Sequence, residues 1–336
     1  MPATFQRLFT LSMILLSAGI SNHVQASCGT TSCSINTDWN EHGTSNPGWS
    51  TDIRYSYSRA DTLRSGSSKI VADPTAAPYN SGIIEAENLR TINQLVTATL
   101  DYSHDEHWGV MLQLPYVMRD HTHSIGDPNP ALVTTESFTA NALGDIKAVG
   151  RYRWDTGMDT HSGMGVKFGL KLDTGRKDFL MNTGVLPSEA ALQPGNGSTD
   201  LILGVFWTQS NPGSAWSWFT QGTIQNSISS RAQFRPGNQV NLDAGTRYAL
   251  NNEVSALLQV NAQWNDADTG SAAALSPLTG EPSSGMKTVA ITPGVSYAFT
   301  PATQLYGLLQ VPVYQYVNGE QLTANYSVSV GISHHF

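Results

Sequence analysis

Six basic residues with an acid among them raise the first chemical question. Arg119, Lys147, Arg151, Arg153, Lys167 and Lys171 share one stretch of chain, and Asp145 lies among them. In a narrow, low-dielectric passage such a row would attract anions and repel cations. Paired with Asp101, Asp145, Asp173 and Glu253, it would instead fill and brace an interior, since buried charge ordinarily needs partners. Bracing ranks first, and both roles are compatible. Histidines form two groups: His104 and His107 bracket Asp105-Glu106, and His121 and His123 follow Asp120. Imidazoles beside carboxylates can ligate zinc or copper. The two groups fall at opposite ends of one expected strand, each has too few ligands, and solvated histidines are the expectation. No metal or other cofactor is expected. Cys28 and Cys33 are read as an oxidised pair, because they sit in a segment expected to be exported.

Enzyme signatures are missing from the sequence: it has no Gly-x-Ser-x-Gly elbow, no His-Glu-x-x-His and no phosphate-cradling glycine loop. The expectation is therefore not an enzyme. A hydrolase built from a scattered Ser and a His such as His121 is the rival reading, and a closed structural or adhesive body is another.

The elements that would position these residues follow from composition and period. Of 336 residues only 13% are charged, about half the usual globular share. A net charge of −8 without any basic run is a poor match for nucleic acid, whose phosphates demand clustered Lys and Arg. Residues 1–26 read as a secretory signal: Arg7, an apolar run from Leu8 to Ile20, then Val24-Gln25-Ala26 before the cut. No apolar run long enough for a transmembrane helix follows. The mean hydropathy of −0.22 suits a water-soluble chain, and equally a membrane barrel with one apolar residue in two.

The period decides between them, and it is two. Tyr326, Val328, Val330, Ile332, His334 and Phe336 alternate with Asn325, Ser327, Ser329, Gly331, Ser333 and His335, which puts apolar side chains on one face and small polar ones on the other. Val254 to Trp264 and Met164 to Leu172 repeat the pattern. In this phasing the six basic residues point inward. Counted so, twelve strands are expected, near 49–59, 90–102, 107–119, 144–155, 162–173, 199–208, 214–226, 238–249, 253–264, 286–299, 303–316 and 321–336.

Connections after even-numbered strands are short and rich in turn formers, such as Asn211-Pro212-Gly213 and Thr300-Pro301-Ala302. Those after odd-numbered strands are long, near 60–89, 120–143, 174–198 and 265–285, with a shorter one near 227–237 and a tight hairpin at Asn318-Gly319-Glu320. Sorting of loops by parity is a property of outer-membrane barrels. Trp49, Trp108, Trp154, Trp207, Trp216 and Trp264 fall near strand ends, where amphipathic rings meet the membrane boundary.

The run Leu143-Gly144-Asp145-Ile146-Lys147 leading to Arg151-Tyr152-Arg153, the pieces Leu114-Pro115-Tyr116 and Val311 to Gly319, and the ending Val330 to Phe336 resemble the outer-membrane transporter-like family named for the meta-pathway of phenol degradation. The resemblance implies a barrel akin to fatty-acid and aromatic-hydrocarbon channels. The expectation is thus an all-β protein: a signal at 1–26, a periplasmic N-terminal segment at 27–48 with the cysteine pair, and one antiparallel transmembrane barrel at 49–336. Both termini would face the periplasm of a Gram-negative cell. Its expected partners are outer-membrane lipid, a small solute of aromatic or apolar character, and the insertion machinery that would read the last strand ending at Phe336.

Overall fold

The computed structural model describes residues 47–71, 86–125, 129, 131, 133–155, 162–180, 189–210, 213–273 and 282–336. The expected signal, Cys28 and Cys33 lie outside the described residues. Thirteen strands form one sheet: β1 Gly48–Gly66, β2 Ser68–Lys69, β3 Ala86–Ser103, β4 Trp108–Ile125, β5 Thr134–Leu143, β6 Lys147–Asp155, β7 Ser162–Lys171, β8 Thr199–Ser210, β9 Trp216–Ser229, β10 Gln239–Ala249, β11 Val254–Asn265, β12 Met286–Thr300 and β13 Thr303–His335. The order β13-β12-β11-β10-β9-β8-β7-β6-β4-β3-β1 closes on itself through β1 and β13, while β2 and β5 lie off this ring.

Every neighbour pairing in the ring is antiparallel, which an odd number of straight strands cannot satisfy. β13 resolves this by folding back at Asn318-Gly319, where Gly319 adopts the left-handed φ of 57° that a two-residue hairpin needs. Its arm 303–317 pairs with β12 and its arm 320–335 with β1. The arms face one another, with His335 N–H donating to Ala302 O at 2.9 Å and Thr303 Oγ1 meeting His334 Nδ1 at 2.7 Å. The eleven strands of the ring therefore present twelve extended segments.

The wall is inverted relative to a water-soluble protein. On β11, Leu258, Val260 and Trp264 are exposed, while Gln259, Asn261 and Gln263 are buried. The strands pair edge to edge around the whole ring and the outward stripe is largely apolar, as hydrocarbon surroundings require. The outward row stays apolar or aromatic from 49 to 57 on β1 except at Thr51, from 92 to 102 on β3 except at Gln94, and from 108 to 118 on β4. Those spans match the roughly nine to eleven residues of a tilted membrane-crossing strand. Charge then appears on the outside: Arg59 pairs with Asp61 at 2.7 Å, and Arg90 with Asp120 at 3.2 Å. These pairs mark the upper edge of the apolar belt. At the other end, rings pack in a girdle, with Trp49 on Tyr102 and Trp108 on Tyr152 (centroids 4.7 Å each) and Trp216 on Tyr248 (4.6 Å). Trp264 belongs to the upper edge, where the Lys287 ammonium sits 4.2 Å above its ring.

Two expected loops are partly strand. β1 continues to Gly66 and β3 begins at Ala86, shortening the segment expected near 60–89. The segment expected as a loop at 120–143 holds the end of β4 and all of β5. β5 and β6 continue one another along β4: Leu143 pairs with Tyr116, Lys147 with Gln113, and the ladder breaks between them. Pro115, which has no N–H to give, sits at the break and accepts from Gly144 N–H at 2.8 Å. Pro312 occupies a similar shift in the β12–β13 ladder.

Candidate functional site in the bore

Alternation along β4, β6 and β7 turns Arg119, Lys147, Arg151, Arg153, Lys167 and Lys171 to the interior, and Asp145 lies buried at the head of β6. Most of these charges are braced. Arg151 is bidentate to Asp101, with Nη2 donating to Oδ1 at 2.8 Å and Nη1 closing the second bond, and Nη2 also donates to Ser103 at 2.6 Å. Lys171 donates to Asp145 (2.9 Å), Asn196 Oδ1 (2.6 Å), and the carbonyl and hydroxyl of Ser198 (3.0 Å each), with Asp200 at 3.3 Å. Lys167 donates to Gln221 at 3.2 Å and lies over the Phe206 ring. Planar guanidinium forks suit such bidentate bracing, and buried charge without it is costly.

Of the acids expected as partners, Asp101 and Asp145 serve. Asp173 instead pairs with Lys177 in the β7–β8 connection. Glu253 sits in the β10–β11 turn, where its N–H donates to Asn251. Asp200 and Asp243 take part in their place: Asp200 accepts from Gln225 at 2.6 Å, and Asp243 from Gln221 at 3.0 Å and Asn261 at 2.7 Å. Alternation alone could have found Asp243, which stands between Leu242 and Ala244, and Asp200, which is followed by the outward Leu201 and Leu203.

The β7–β8 connection folds into the bore. Its short 3-10 helix Ala190–Leu192 packs Leu192 against Phe138 and Ala140 of β5, with Phe179 beside them. Arg119 holds it, donating to the Leu192 carbonyl at 2.7 Å and the Ala191 carbonyl at 3.2 Å while its Nε bonds Asn93 at 2.6 Å. Asp145 holds the two flanks: Oδ1 accepts from Gly175 N–H at 2.9 Å and Oδ2 from Asn196 N–H at 3.2 Å. The flanks touch through Gly175 and Gly195, where a Cβ on either would lie within 2.6 Å of the other's backbone.

His121 and His123 are not solvated, as expected from a loop position. They lie on the inward face of β4 above the Arg90–Asp120 pair, because β4 runs on to Ile125. His121 is fully buried and meets Thr91 Oγ1 at 2.9 Å, and His123 faces Glu136 at 3.6 Å. His107 Nδ1 lies 3.0 Å from the Arg153 carbonyl. Among the described residues, no three His, Cys, Asp or Glu side chains group as metal ligands.

Two apolar patches interrupt the polar lining. Met111, Val149 and Ile202 form one on β4, β6 and β8, and Leu257, Tyr306 and Leu308 form the other on β11 and β13. In the strand order they stand about half a ring apart. Gln310, on the second wall, has both amide atoms buried without a hydrogen-bond partner among the described residues.

A closed antiparallel barrel with an apolar exterior, a braced polar bore and an inward-folded connection defines an outer-membrane barrel. The family of the MetA-pathway of phenol degradation matches residues 91–332, and the chain belongs to that family. No curated protein matches the sequence. Among solved structures, an outer-membrane channel from Pseudomonas putida F1 is similar with a TM-score of 0.62 at 12% identity, covering 90% of this chain and all of that one. The Ralstonia pickettii toluene transporter aligns at a TM-score of 0.45 and 10% identity, over 92% of this chain and 96% of that one.

Proposed function

We propose that the barrel is an outer-membrane channel through which a small aromatic or apolar solute passes down its concentration gradient. The observation that carries this reading is the pair of apolar patches set about half a ring apart in a largely polar bore. A lining that only had to fill the barrel would need no such patches, whereas a solute with an apolar body finds a surface on either wall. The braced charges keep the bore's shape without leaving bare charge along most of the path. The fold shared with the Pseudomonas putida outer-membrane channel supports passage across that membrane. Surrounding lipid is the barrel's first partner. The exposed terminal ring of Phe336, next to the girdle, is the feature an insertion machinery would read.

Purified full-length protein in liposomes should admit small aromatic solutes faster than protein-free vesicles, and should conduct ions in planar bilayers. Vesicles tight to every solute, with no conductance, would sink the proposal. A lipase or peptidase assay on the same preparation is expected to show no activity.

A further inference from the structure

The ladders of β4, β6, β7 and β8 set inward residues in rows. Gln113, Lys147, Lys171 and Asp200 share one row, Met111, Val149, Gly169 and Ile202 the next, and Gly109, Arg151, Lys167 and Gly204 the third. Successive rows on one face lie roughly 6–7 Å apart. An apolar shelf of Met111, Val149 and Ile202, packed together, is thus held between two cationic rows.

Three of the four cations in those rows have their donors engaged: Lys171 by Asp145, Asp200, Asn196 and Ser198, Arg151 by Asp101 and Ser103, and Lys167 by Gln221. Lys147 differs. It is half-buried, and among the described residues its ammonium makes no hydrogen bond and no ion pair. It lies within electrostatic reach of Asp145 and Asp200, but also of Lys171 and Arg54. The result is an ammonium with three N–H donors available, whose two neighbouring carboxylates are already engaged by Lys171.

We propose that Lys147 is a binding site for the carboxylate of a small aromatic acid, whose ring rests on the Met111–Val149–Ile202 shelf. The shelf is one row from the ammonium, about the distance from a carboxylate to the far side of the ring that carries it. A neutral hydrocarbon would use the shelf alone, and an inorganic anion the ammonium alone. An aromatic carboxylate uses both. The site deepens the channel reading by naming the solute class, but binding itself does not require through-passage.

The test is calorimetric titration of the detergent-purified full chain with benzoate and its neutral isostere benzamide, with planar-bilayer conductance measured on the same preparation. Benzoate should bind about tenfold more tightly, the worth of one charge-assisted hydrogen bond, and added KCl should narrow the difference. Lys147→Gln should abolish the preference and leave benzamide binding unchanged, and Lys147→Arg should retain it. Ile202→Ser should weaken both ligands together. Equal binding of the two by the native protein, a preference indifferent to salt, or a preference surviving in Lys147→Gln would each overturn the proposal. The native protein's salt series decides even if a variant fails to fold. Benzoate binding through Lys147 without any conductance would refute passage and leave the site standing; conductance without benzoate preference would do the reverse.

Discussion

At the turn between β3 and β4, Asp105 accepts the backbone N–H groups of His107 and Trp108 at 2.8 and 2.7 Å. Those two bonds hold its carboxyl below the usual value of 3.8, with His104 and His107 helping when charged. A depressed folded-state pKa means that the turn's contribution is present above the ordinary carboxylate value. It is lost as pH falls through the lower one. Amide exchange at His107 and Trp108, corrected for intrinsic rate, should therefore accelerate on acidification below about pH 4. Asp105→Asn, which keeps an acceptor but cannot titrate, should remove that acid response. Asp145 is a different kind of residue, because its two oxygens hold Lys171 and both flanks of the inward connection. Asp145→Ala leaves Lys171 buried with only Asp200 as counter-charge and should cost about 3 kcal/mol, read as a lower midpoint in the heat-induced gel-shift of the folded barrel. The Gly144-Asp145 motif was visible in the sequence as a family mark. Its work as a clasp was not, since Gly175 and Asn196 are remote in sequence.

Among the elements, the transmembrane strands were legible and β5 was not, and the reason is physical. Below the Arg90–Asp120 pair, apolar side chains face lipid and polar ones face the bore. β5 stands above that edge, where water replaces hydrocarbon outside. Its buried side chains are Phe138, Ala140 and Ala142, while Thr139 and Asn141 are exposed or half-exposed partners of the outer face. The phase is reversed, so a search for apolar-outward strands passes over it. The same edge explains His121 and His123, which lie on a strand in a soluble-like setting. The connection that covers Phe138 depends on Arg119. Arg119→Ala should release the Ala190–Leu192 helix from the wall, and single-channel conductance should rise; an unchanged conductance would show that the segment does not narrow the path. The hold of Arg119 on the Leu192 and Ala191 carbonyls was not legible, because main-chain carbonyls of a folded-in loop leave no trace in side-chain pattern.

Over the whole molecule, period-two alternation and loop parity were enough to read a barrel, because lipid imposes one rule on every crossing segment. Twelve segments were expected and twelve ring the bore, though two belong to the single strand β13. The closed ring should make the unheated protein run ahead of the boiled one on a detergent gel, and Gly319→Val, which forces a branched residue into a left-handed φ, should weaken that resistance to heat. The seam has a further consequence for assembly. Ser50 lies beside His335 and Gly66 beside Val317, so the last join unites residues almost a full chain apart, and it closes the costliest loop of all. Until then the nascent sheet has two bare edges, β1 and the returning arm of β13, either of which could recruit a stranger. Whatever escorts this polypeptide into the bilayer must shield those two edges together, and let go of both at once.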